Sequence, residues 1–130
     1  MNTDKPTIQI WVGAIICALY VGLGAFGAHG LKDALNSSQI ATYETGLRYM
    51  IIHGLGLILI SSVYILLQKY NKWPAILFYL GLVLFSLSLI VHATKDLLGI
   101  SIDVFAIFAP FGGLSFIAGW IIFAISIRTK

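Results

Sequence analysis

The chain has 130 residues, 59% of them hydrophobic and 10% charged, with a mean hydropathy of +0.96. An ordinary soluble domain carries roughly 25% charged residues, so eight basic and five acidic side chains are too few to clothe a water-soluble globule of this size. The composition excludes a soluble enzyme and a disordered tail. It also excludes a nucleic-acid reader, because a net charge of +3 with no basic stripe cannot track phosphates. What remains is an integral membrane protein.

Four apolar runs are long enough to cross a hydrocarbon core of ~30 Å, which takes about 20 helical residues. They cover residues 8–28, 46–68, 75–94 and 105–127. Lipid tolerates no unpaired backbone groups, so each run is read as a helix. The expected fold is therefore an all-α, four-helix transmembrane bundle forming one domain over residues 1–130.

The first run follows Lys5 and Pro6 and ends in Gly24, Ala25, Gly27 and Ala28, features that a cleaved signal also shows. Its length exceeds the usual signal core of about 7–15 residues, so it is expected to be retained. In the loop after it, Leu31–Leu35 reads as a short interfacial turn, and Asn36, Ser37 and Ser38 offer N-cap chemistry. Nothing beyond them breaks a helix before Gly46, which starts the second helix near Ser38, outside the membrane. Asn71–Pro74 parts the second run from the third, and Gly99 the third from the fourth. Pro110 either kinks the fourth helix or marks its start, just ahead of Gly112 and Gly113.

Lysine and arginine counts set the expected orientation. Lys5, Lys69, Lys72, Arg128 and Lys130 fall on the side of the termini; Lys32, Arg48 and Lys95 fall on the other. Both termini are thus expected in the cytoplasm of a multi-pass plasma-membrane protein. Asp4 lies inside, and Asp33, Glu44, Asp96 and Asp103 outside, while Trp11, Tyr70 and Trp73 form an aromatic belt at the inner interface.

All three histidines then fall in the outer half of the bilayer: His29 closing the first span, His53 inside the second and His92 near the end of the third. Glu44, Arg48 and Tyr49 share that layer, and ionisable groups inside a membrane are functional suspects. Glu44 and Arg48 stand at i, i+4 with the acid first, the favourable order for an ion pair. Tyr49 and His53 share the same spacing on another face of that helix. These groups either anchor and cross-link helices or form a polar, ligand-binding or proton-handling layer. His53 with His92 is the candidate pair for a haem, but neither sits in a ligand motif, and no metal or cofactor is expected. The lone Cys17 can form no intrachain disulfide and reads as a small buried hydrophobe.

Small residues mark close helix contacts. Gly22, Gly24 and Gly27 crowd the end of the first span, Gly54 and Gly56 lie in the second, and Gly112, Ser115 and Gly119 share one face of the fourth. No carboxylate lies mid-membrane, which argues against a small proton-coupled antiporter. No nucleophile–base pair, phosphate loop or lipidation signal is present in the sequence.

Several stretches resemble a known family. Gly24-Ala25-Phe26-Gly27-Ala28-His29-Gly30-Leu31-Lys32 is similar to its GAFGAHALK segment, and Tyr43-Glu44-Thr45-Gly46-Leu47-Arg48-Tyr49 with His53 resembles the start of its second helix. Pro110-Phe111-Gly112-Gly113-Leu114-Ser115-Phe116-Ile117-Ala118-Gly119-Trp120 resembles its PxGGxxFxxGW signature. The third span departs from the pattern, with Phe85-Ser86-Leu87-Ser88-Leu89-Ile90 where members read FSGSLY. The family is the small four-span membrane proteins labelled domain of unknown function 423. The resemblance implies four helices and a bacterial-type membrane location, and it brings no activity with it.

The sequence therefore points to a non-enzymatic membrane protein acting through helix packing with itself or with a larger membrane partner, surrounded by lipid. Its packing residues are Gly24, Gly27, Pro110, Gly112, Gly113, Gly119 and Trp120. The alternative is a transport, small-ligand or lipid-binding protein whose site is the polar layer of His29, Glu44, Arg48, Tyr49 and His53.

Overall fold

The computed structural model describes residues 4–100 and 104–128; Asp103 and Lys130 of the charge count lie outside the described residues. It is all-α, with four helices long and apolar enough to span a membrane. The first runs over Asp4–Leu31, the second over Ser37–Leu66 and the third over Trp73–Leu98. The fourth runs over Val104–Arg128, with Pro110 inside it rather than at its start.

Local chemistry fixes the ends. The side chain of Asn36 accepts from the Gln39 amide while Gln39 Oε1 accepts from the Asn36 amide, both at 2.9 Å, a reciprocal cap that starts the second helix one residue before Ser38. Gln68 ends that helix in the left-handed region at φ 53°, so that the Lys69 amide reaches the Tyr64 carbonyl at 3.0 Å. Asn71 Oδ1 accepts from the Trp73 amide at 3.0 Å, and Pro74 sits in the first turn of the third helix. Gly99 closes the third helix at φ 67°. Two wider π turns interrupt the α pattern, Gly27–Leu31 at the end of the first helix and Leu82–Leu87 midway along the third.

Each helix packs mainly against its neighbour in sequence, and the second also meets the fourth. The first packs on the second and is the least buried of the four. Their contact is glycine on glycine: a Cβ at Gly13 would lie 2.6 Å from the Gly54 carbonyl, and one at Gly54 would lie 2.7 Å from Ile16. Without hydrophobic drive in lipid, such close backbone approach supplies the van der Waals energy of association. The third and fourth helices interlock through Gly81 on the Phe116 ring, Gly112 on the Phe85 backbone and Gly119 on the Phe78 ring.

The interior falls into two clusters. Leu31, Leu35, Tyr43, Leu47 and Ala93 pack towards the end of the bundle that carries the first–second loop, here the loop end. Leu57, Ile60, Ala75, Phe78 and Phe116 fill the middle and the end near the termini.

Candidate functional site

His53 sits in an aromatic box made by three helices. It is buried, and its ring lies parallel to that of Phe116 with centroids 3.4 Å apart, while Phe78 meets it edge-on at 5.0 Å. Its Nδ1 lies 2.8 Å from the Tyr49 carbonyl, one turn back on the same helix. Trp120 of the fourth helix donates its indole N–H to His53 Nε2 at 3.2 Å. A carbonyl accepts and an indole N–H donates, so the geometry defines a neutral imidazole with its proton on Nδ1. Both nitrogens are thus engaged. The Tyr49 ring closes the box, 4.5 Å from Phe85.

Glu44 and Arg48 lie on a different face and see a different neighbour. Both are exposed at the wall of a cavity of about 630 Å3 between the first and second helices. Lys32 joins them at its mouth, Leu47 lies level with them, and Tyr20 and Ile51 form apolar wall below. Gly24 and Gly27 line the first helix's side of the groove. Along the second helix the lining runs from Ile40 to Ile51, a rise of about 16 Å. The expected ion pair is absent: among the described residues no salt bridge joins Glu44 to Arg48. Tyr43, buried one residue before Glu44, braces the wall by donating its hydroxyl to the Leu23 carbonyl at 2.7 Å.

The polar layer expected from the sequence is therefore split. Tyr49 and His53 turn towards the third and fourth helices, Glu44 and Arg48 towards the first, and His29 is exposed in the terminal π turn outside the groove. His92 is not among the ring neighbours of His53. Among the described residues no three of His, Cys, Asp and Glu converge as metal ligands.

The expected packing residues divide as well. A Cβ at Gly27 would strike the Tyr43 ring at 2.6 Å, and one at Gly112 the Phe85 amide at 2.5 Å, so both mark backbone approaches. Gly24 faces open space, and Gly113 only touches Phe85 at 3.8 Å, so neither is needed for close contact. Pro110 is exposed.

A third polar group escaped the sequence reading. Ser61 donates to Gln9 Oε1 at 3.0 Å, and Gln9 Nε2 donates to the Tyr70 hydroxyl at 3.1 Å, tying the first helix to the second–third loop. Tyr64 and Ser126 share a hydrogen bond of 2.7 Å nearby. Gln9, the polar residue interrupting an apolar run, was the available signal.

Four lipid-length helices, locked by glycines and carrying a groove with Lys32, Glu44 and Arg48 on its wall, define a polytopic all-α membrane protein. The profile of a family described as a protein of unknown function (DUF423) matches residues 23–113. A UPF0382 membrane protein of Staphylococcus haemolyticus is 38% identical over 117 residues, which cover 90% of this chain and 92% of the relative. The Bacillus subtilis UPF0382 membrane protein YwdK is 34% identical over 121 residues, covering 92% and 94%. The Escherichia coli K12 UPF0382 inner membrane protein YgdD is 34% identical over 119 residues, covering 90% and 87%. No solved structure matches. The chain belongs to this UPF0382 (DUF423) family of membrane proteins.

Proposed function

We propose that the protein is a non-enzymatic binding protein of the plasma membrane, which holds a membrane amphiphile in the groove between its first and second helices. The charged mouth takes the ligand's head and the apolar wall its chain. One observation carries the reading: Lys32, Glu44 and Arg48 share a cavity of about 630 Å3 with Tyr20, Leu47 and Ile51. Small-molecule sites typically measure about 300–1,000 Å3. His53 is left as packing, because its nitrogens and ring face are all engaged. With both termini cytoplasmic, as the lysine and arginine distribution favours, the mouth lies in the outer leaflet.

The test is lipid analysis of purified wild type and of a Lys32→Ala/Arg48→Ala double variant. The reading predicts a co-purifying amphiphile that the variant loses. Equal lipid content in both refutes it.

A second reading, association of the bundle with itself or a larger membrane partner, is favoured by the outward face of the first helix. Ala14, Ala18 and Gly22 are exposed there at i, i+4 and i+8, the spacing of close helix pairs in lipid. A native mass equal to one chain rejects self-association.

A further inference from the structure

The groove carries charge of both signs. Lys32 and Arg48 are cations, Glu44 is an anion, and all three line it. Glu44 and Arg48 stand one turn apart on the second helix, where Cβ atoms lie ~5–6 Å from each other in the order that favours pairing. Yet they do not pair, and among the described residues Lys32 has no ion-pair partner either. The mouth thus offers two donors for an anion and, within a helical turn, one acceptor for a cation.

Resting on the groove reading, we infer that this site selects a phospholipid whose head carries both a phosphate and a primary ammonium, the phosphatidylethanolamine class. Arg48, whose planar fork matches phosphate oxygens, and Lys32 take the phosphate. Glu44 accepts from the ammonium. Charge sign and hydrogen bonding, each in turn, disfavour the neighbouring head chemistries. An anionic head without an ammonium sets its phosphate against the Glu44 carboxylate. A choline head has no N–H to give it. The ligand is a lipid rather than a free head because the lining continues past the charges to Tyr20 and Ile51, where an acyl chain buries apolar area and a soluble head leaves it bare.

The experiment is native mass spectrometry of the full chain loaded from mixed micelles holding equal amounts of phosphatidylethanolamine, phosphatidylcholine and phosphatidylglycerol. Wild type is expected to retain the ethanolamine lipid at least several-fold over either competitor. Glu44→Gln, an isosteric change at an exposed position, removes the ammonium acceptor and is expected to move the preference to phosphatidylglycerol. Equal retention of all three lipids by wild type overturns the inference, as does an unchanged order in Glu44→Gln. Soluble phosphoethanolamine displacing the lipid at equal concentration overturns the assignment to a lipid. Gly24→Leu separates the two levels, since a Cβ there meets nothing within 4 Å and the side chain projects into the groove it lines. If it abolishes lipid retention while wild type shows no head preference, the groove stands and the head inference falls. If it retains lipid like wild type, both fall.

Discussion

Replacing His53 by leucine separates packing from ligand chemistry. The substitution removes the hydrogen bond from Trp120 at 3.2 Å, which joins the second helix to the fourth, and the stack on Phe116 at 3.4 Å. Side-chain hydrogen bonds between membrane helices average about 0.6 kcal/mol and reach about 1.7. Aromatic stacking adds about 0.5–1.5 kcal/mol beyond area burial. Leucine fills similar volume, so the cavity contribution is small. The expected loss is about 1–3 kcal/mol, read by denaturant titration in mixed micelles followed by circular dichroism. His53→Gln keeps an acceptor for the indole N–H and should lie between leucine and wild type. Lipid retention in the groove should be unchanged in both variants. A leucine variant as stable as wild type, or one that stays stable yet sheds its lipid, refutes the packing role.

Other outcomes follow from the backbone. Gly13→Leu drives a side chain into the Gly54 carbonyl, already 2.6 Å from a bare Cβ, and should cost at least the ~1–3 kcal/mol of overpacking; Gly22→Leu, at an exposed position where a Cβ meets nothing within 4 Å, should change stability by less than ~0.5 kcal/mol in the same titration. Gln68→Gly relieves a left-handed residue at φ 53° and should raise stability by about 0.5–1 kcal/mol, measured in the same way. Cysteines introduced at Asp33 and Lys72 report orientation: a membrane-impermeant thiol reagent on intact cells should label the first and spare the second until lysis.

The fold class was legible because lipid leaves an apolar run of this length no option but a helix. The start of the second helix was legible too, since Asn36 and Gln39 carry their capping chemistry in their identities. The two-face split of Glu44 and Arg48 from Tyr49 and His53 followed from 100° per residue. What hydropathy could not supply was the neighbour each face would meet. Nothing in the sequence says that the first helix packs chiefly on the second, which is what makes Glu44 and Arg48 part of a groove wall. Gly13 had no mark of its own, and it gains its role only from Gly54 opposite. The π turn at Leu82–Leu87 is approached on its backbone by Gly46 and Gly112, which come from helices that sequence order alone does not bring together.

The central claim is that the groove holds a ligand, and Gly24→Leu tests it most directly, because Gly24 lines the cavity and an added Cβ there meets nothing within 4 Å. Wild type and variant would be released from their own membrane and weighed intact by native mass spectrometry, with thermal stability measured alongside. The account predicts a lipid-mass adduct on wild type, its loss from the variant, and equal stability of the two delipidated proteins. The same adduct on both, or none on wild type, would contradict it.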